Sequence, residues 1–172
     1  MKKENNTNKE TNTNNGNNTN NEIKEISEVK ENYDSLKLEN QLCFPLYACS
    51  KEIVKRYKPF LDELDLTYTQ YIAMMVLWEQ KEINVKKLGE SLYLDSGTLT
   101  PVLKKLEIKG YITRKRSAED ERNLCVKITE SGEELKKAAA SIPEYMKSCI
   151  PINMEEAVSL KQVLTKILRD ME

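Results

Sequence analysis

Residues 93–110 read Tyr-Leu-Asp-Ser-Gly-Thr-Leu-Thr-Pro-Val-Leu-Lys-Lys-Leu-Glu-Ile-Lys-Gly, and the chain runs straight on into Tyr-Ile-Thr-Arg-Lys-Arg-Ser-Ala-Glu-Asp-Glu-Arg over 111–122. No other stretch limits the possible folds as tightly. Leu99, Val102, Leu103 and Leu106 recur at helical spacing and define one buried face. Asp95 or Ser96 caps the start, because a short oxygen-bearing side chain satisfies the first free amide hydrogens. Gly110 ends the helix in a left-handed conformation that other residues resist. Ser96, Thr98, Thr100, Lys104 and Lys105 fall on the remaining faces.

The segments on either side extend the pattern. Asn84–Leu92 reads as a short amphipathic helix, and about three residues separate it from the next, which is helix-turn-helix spacing. Tyr111–Arg114 and Leu124–Ile128 alternate like two strands, with a charged loop between them as a wing. Small polar residues near the helix start match what base reading needs, and lysines further on match phosphates. In the hairpin, Arg114, Lys115, Arg116 and Arg122 form a basic cluster. Asp120 stands two residues before Arg122, where a carboxylate can fix the direction of the planar guanidinium toward a minor groove or a phosphate. These charges would also suit a solvated loop. The adjoining helix pair tips the reading toward nucleic acid.

The net charge of −1 argues against a DNA binder until its distribution is considered. Residues 84–129 hold ten Lys and Arg against six Asp and Glu, a balance of +4, which leaves −5 for the rest. A basic block in an acidic chain concentrates the electrostatic footprint on one face. No run of about 18 apolar residues offers a membrane span, and the polar start has no signal core. A cytoplasmic protein is expected. The absence of histidine excludes Ser-His-Asp and Cys-His catalysis and His-ligated metals. Neither a metal nor a cofactor is expected.

Ten of the seventeen residues from Asn5 to Asn21 are Asn, so residues 1–35 are expected to form a tail too polar to fold. The folded domain is expected over 36–172. Leu42, Leu46, Cys49 and Ile53 predict a first helix over roughly 38–57, with Pro45 inside it as a kink. Thr67 and Gln70 have capping-box spacing before a central buried helix, Tyr71 to Trp78. A helix is expected over 131–141, interrupted near Pro143. A last helix over 154–171 carries a narrow apolar stripe (Ala157, Leu160, Leu164, Ile167, Leu168, Met171) suited to a second copy of the chain.

Four cysteines stand at 43, 49, 125 and 149 with no CxxC pair, and reduced thiols are expected. Spacing alone makes Cys43 either a small buried apolar residue or a reactive thiol. Cys49 and Cys125 read as core, and Cys149 as an exposed residue between helices. Tyr47, Tyr57, Tyr68 and Tyr71 cluster around the first two helices, as core or interface aromatics or as hydroxyl donors to a thiolate.

Leu38-Glu-Asn-Gln-Leu-Cys-Phe44, Tyr57-Lys-Pro59, Leu66-Thr-Tyr-Thr-Gln-Tyr71, the run Leu92 to Pro101 and the run Ile112 to Arg122 together resemble the OhrR branch of the MarR family. These are organic-hydroperoxide-sensing repressors. The resemblance covers residues 38 to about 170. It implies a mainly α fold with a β-hairpin wing, a winged helix-turn-helix in a homodimer, with dimerisation helices over about 38–57 and 131–171 and a DNA-binding part over about 69–129. The 95–109 helix would enter the major groove of double-stranded DNA, and the wing the minor groove of an inverted-repeat operator. Cys43 would be the peroxide-reacting cysteine, and Tyr57 and Tyr68 the tyrosines that hydrogen-bond its sulfur. Asp95, Ser96, Thr98, Thr100, Lys104, Lys105, Arg114, Arg116, Asp120 and Arg122 would serve DNA binding.

Two residues depart from that pattern. Pro45 stands where an ordinary helix former is usual, and Cys149 falls near the resolving cysteine of two-cysteine members. After oxidation to a sulfenic acid, Cys43 would condense with Cys149 or with a small thiol. Two rival readings are a MarR-type repressor controlled by a non-covalent aromatic ligand, with Cys43 structural, and a thiol peroxidase using Cys43. The basic hairpin has no purpose in an enzyme.

Overall fold

The computed structural model describes residues 33–116 and 124–171. Most of the Asn-rich tail and the loop 117–123, including Asp120 and Arg122, lie outside the described residues. The chain divides into two units, 1–46 and 47–172.

The described part of the first unit begins with two 3-10 turns, Tyr33–Leu36 and Leu38–Asn40, held by local bonds. The Asn40 side-chain amide donates to the Asp34 carbonyl at 2.7 Å, Gln41 donates to the carbonyls of Ser35 and Lys37, and Lys37 pairs with Asp34 at 2.7 Å. The end of the supposed unfolded tail is therefore a structured turn. These bonds also delay the first helix, α1, which spans Cys43–Glu63 rather than starting near 38. Pro45 becomes the third helical residue and removes no helical hydrogen bond, because amides in the first turn have no carbonyl to bond. The interior proline is Pro59.

Leu42 is 73% exposed, and Phe44, Leu46 and Cys49 are exposed too, contrary to the buried stripe and core Cys49 expected. An amphipathic stripe is buried only where something covers it. One copy of this chain does not cover these residues.

In the second unit, α2 (Tyr68–Gln80) carries the center of the core. Its capping box is complete: the Gln70 amide donates to Thr67 Oγ1 at 3.3 Å, and the Thr67 amide to Gln70 Oε1 at 3.0 Å. Met74 and Leu77 are fully buried, worth roughly 1.5–3 kcal/mol each. That outweighs any intrinsic helix preference of a short apolar run. At the far end, the Trp78 indole donates to the Gly132 carbonyl at 2.8 Å.

Next come β1 (Glu82–Asn84), α3 (Val85–Leu92) and α4 (Ser96–Ile108). Asn84 caps α3 by accepting from the Lys86 and Lys87 amides. Tyr93, Leu94 and Asp95 connect the two helices, and Tyr93 takes the left-handed conformation that stops α3 (φ 54°). A Cβ on Gly89 would lie 2.8 Å from the Leu94 carbonyl oxygen, so only glycine allows this tight return. Leu88, Leu99, Leu103 and Leu106 seal the pair against α2, as the periodicity predicts.

β2 (Ile112–Arg116) and β3 (Leu124–Ile128) form the hairpin, and the sheet order is β1-β3-β2, antiparallel throughout. The register sets Ile83 against Val126 and Ile112 against Ile128. Three residues show no alternation to read, which hid β1 in the sequence. Cys125 is half-buried rather than fully buried in the core.

The chain closes with α5 (Glu130–Ala139), α6 (Ile142–Cys149) and α7 (Met154–Asp170). Pro143 opens α6 instead of merely interrupting α5, since its fixed φ suits a first turn. Cys149 is thereby the last residue of a helix. It is half-buried against the core, not exposed between helices. On α7, Leu160, Leu164, Ile167 and Leu168 are all exposed, as are Val158, Val163 and the capping Met171 just past its end.

Candidate nucleic-acid interface and thiol site

The start of α4 is organised by Asp95. One carboxylate oxygen accepts from the Thr98 amide and the other from the Thr98 hydroxyl, both at 2.9 Å. These bonds hold the Asp95 carboxyl below the usual carboxylate range, the Thr98 amide contributing most. Of the two capping candidates, Asp95 caps. That leaves the Ser96 hydroxyl without a bond among the described residues. The Thr100 hydroxyl donates to the Ser96 carbonyl at 2.6 Å. Ser96, Thr98, Thr100, Lys104 and Lys105 are all exposed along this helix. Lys105 lines a cleft with Asp62, Asp65 and Lys109, whereas Lys104 does not.

The basic block is partly spent inside the fold. Lys109 reaches the turn between α1 and α2, pairing with Asp65 at 2.8 Å and donating to the Asp65 carbonyl. Arg114 is mostly covered, and its Nε and Nη2 donate to Glu107 Oε2 at 3.0 and 2.7 Å. The Arg114 amide donates to the other carboxylate oxygen at 3.1 Å. Arg114 thus ties β2 to the last turn of α4. Glu107 was not among the site residues predicted from sequence, since its partner lies across a turn where no helical spacing rule applies. Lys87, Lys104, Lys115 and Arg116 make no ion pair among the described residues.

The tyrosines expected to support a thiolate come together. The rings of Tyr57 and Tyr68 meet edge to face at 5.0 Å, and Tyr71 lies 5.9 Å from Tyr57. Burial pushes the Tyr57, Tyr68 and Tyr71 hydroxyls above the usual phenol range, reinforced for Tyr57 and Tyr71 by the neighboring phenols. All three therefore remain O–H donors at neutral pH. Cys43 belongs to the first unit, where it is a free, exposed thiol at the first residue of α1. Cys149 is likewise a free thiol. Among the described residues no cluster of side chains could hold a metal ion.

A helix-turn-helix followed by a strand hairpin, with a polar helix start and free basic residues, defines a winged-helix transcriptional regulator. The model of the family "Transcriptional regulator SarA/Rot" matches residues 55–139. The organic hydroperoxide resistance transcriptional regulator of Bacillus subtilis (strain 168) is 51% identical over 139 residues, covering 81% of this chain and 95% of that protein. The chain belongs to the OhrR branch of the MarR family. Among solved structures, reduced AbfR bound to DNA superposes with a TM-score of 0.68 at 32% identity, covering 80% of this chain and 94% of that one. The disulfide-formed structure of AbfR, a Staphylococcus epidermidis protein, gives a TM-score of 0.53 at 30% identity, over 89% and 95%. Among the described residues no helix is long and apolar enough to cross a membrane.

Proposed function

We propose that two copies of this chain form a cytoplasmic repressor that holds an inverted-repeat operator while Cys43 is reduced and lets go when an organic hydroperoxide oxidises it. The observation that carries this reading is a free, exposed thiol at the start of α1 in a chain 51% identical to a hydroperoxide resistance regulator. The Cys43 thiolate attacks the terminal oxygen of the hydroperoxide. The O–O bond breaks, the alkoxide leaves and takes up a proton to become the alcohol, and sulfur becomes a sulfenic acid. Tyr57 and Tyr68, kept as donors by burial, stabilise the thiolate and the departing charge. Cys149 then attacks the sulfenic sulfur across the dimer and expels water, or a small thiol does the same.

The exposed apolar residues of α7 and of the start of α1 supply the second copy's contact. A two-fold dimer addresses half-sites about 34–36 Å apart. Ser96, Thr98 and Thr100 face base edges. Lys104, Lys105, Arg116 and the wing's Arg122, oriented by Asp120, meet phosphates or the minor groove. Asp95 and Arg114 act by holding the helix start and the wing in place. Each phosphate neutralised should add about −0.9 to the salt dependence of the binding constant.

The test is a gel shift with reduced and cumene-hydroperoxide-treated protein, run beside a salicylate-like ligand. Release by peroxide alone is expected. Release by the aromatic acid alone overturns thiol sensing, and continuous peroxide turnover with a thiol reductant would mark an enzyme instead.

A further inference from the structure

We propose that the last turn of α6 opens by itself while the rest of the domain stays folded, and that Pro151 is the positioning residue behind this. The opening sets how fast Cys149 reacts. Its use rests on the reading that Cys149 attacks the oxidised Cys43.

A helix leaves its last four carbonyls without partners unless the residues that follow return an amide to them. The other α-helices each receive one. Lys81 returns its amide to Leu77, Tyr93 to Glu90 and Gly89, Lys109 to Lys105, Ala140 to Lys137 and Met171 to Leu168. Leu66 closes α1 by donating to the Leu61 carbonyl at 2.9 Å.

On α6 the carbonyls of Met146, Lys147, Ser148 and Cys149 look to the amides of residues 150–153. The Ile150 amide makes no bond among the described residues. Pro151 has no amide hydrogen. The Ile152 amide donates instead to the Ile150 carbonyl at 2.8 Å, and the Asn153 amide to Glu156 Oε2 at 2.9 Å. Every donor is thus accounted for, and none reaches α6. Pro151 acts twice here, since its ring also disfavours a helical backbone at the residue before it. Ile150 is extended accordingly (φ −105°, ψ 115°).

The start of α6 is held firmly. Ile142 and Met146 are buried, and the Tyr145 ring stacks on Phe60 at 5.2 Å. Past Met146, Lys147 and Ser148 are exposed, and Cys149 alone of the remaining helical residues packs back on the core. A segment with few buried contacts and unclosed hydrogen bonds lies at the low end of local stability. When the turn frays, the Cys149 sulfur leaves the core for solvent. It then displaces hydroxide from the Cys43 sulfenic acid: the S–S bond forms, the S–O bond breaks, and the hydroxide leaves as water with the thiol proton.

The experiment follows alkylation of Cys149 by iodoacetamide in the reduced full chain, read peptide by peptide with mass spectrometry. Urea below the unfolding transition should leave the rate nearly flat, because opening one turn exposes little surface. Pro151→Ala supplies an amide and lets Ile150 turn helical, so labelling should slow by about threefold to tenfold. Ser148→Gly weakens the same turn and should speed labelling by roughly twofold to fivefold. With cumene hydroperoxide, Pro151→Ala should form the Cys43 sulfenic acid at the unaltered rate and the disulfide more slowly, by the factor seen in labelling. A general structural defect would not slow the second step alone. Labelling that climbs steeply with urea, labelling that Pro151→Ala leaves unchanged, or a disulfide formed at the unaltered rate overturns the inference. If labelling responds as stated but no disulfide joins Cys43 to Cys149, the opening stands and the resolving role of Cys149 falls.

Discussion

Glu107, in the last turn of α4, holds Arg114 of β2 with both carboxylate oxygens, one taking the guanidinium at 2.7 and 3.0 Å and the other the Arg114 amide at 3.1 Å. α4 and the wing are thereby fixed relative to each other by one residue on each. Such a contact costs the free protein an arginine that could have met DNA. In exchange the remaining wing cations are aimed.

Glu107→Gln is expected to weaken operator binding severalfold with little change in helix content, because the wing loses its anchor while α4 keeps its core leucines. The arginine holds the Glu107 carboxyl below the usual carboxylate range. Its contribution to stability is therefore fully present above the ordinary value of about 4.3 and is lost as pH falls through the lowered folded value. The stability gap between the chain and Glu107→Gln should be flat from neutral pH to about 5 and close below about 4, as read by urea titrations. A gap that widens on acidification contradicts the pairing.

Gly132→Ala tests a backbone approach. A Cβ there would lie 2.3 Å from the Tyr111 carbonyl oxygen and 2.8 Å from Ile128 Cγ1. Main chain cannot yield as a flexible side chain does, so about 1–3 kcal/mol of destabilisation is expected. The Trp78 indole bond to the Gly132 carbonyl should be disturbed as well, and since Trp78 is the one tryptophan of the chain, its fluorescence reports this directly. Unchanged melting and emission would mean the helix start shifts freely.

Tyr57→Phe and Tyr68→Phe keep the rings that pack at 5.0 Å and remove only the hydroxyls. A hydrogen bond to a charged group is worth about 1.5–3 kcal/mol, so each change should slow the reaction of Cys43 with hydroperoxide by about tenfold or more. Thiol loss in rapid-mixing experiments measures this. Equal rates would remove the tyrosines from the chemistry and leave them as packing.

Cys43→Ser should bind operator like the unaltered chain and fail to release it with cumene hydroperoxide. Cys149→Ser should still form the sulfenic acid, trapped with a dimedone reagent, but lose the dimer-sized band on non-reducing gels. Full release by the first variant, or an unchanged band from the second, assigns these sulfurs no part in the switch.

The sequence by itself determined what depends on near neighbors along the chain. The leucine spacing of α4, the Thr67–Gln70 box, the Asn84–Leu92 helix and the alternation of the two long strands all follow from contacts three or four residues apart, or from period two. Only the tertiary structure decided the rest. It chose Asp95 over Ser96 as the cap and turned Arg114 toward Glu107. It recruited three residues as a third strand and put Pro45 in a first turn and Cys149 at a helix end. It also left the α1 start and α7 uncovered. Which hydroxyl, charge or sulfur stays available depends on what it meets in space, and residue order does not encode that locally.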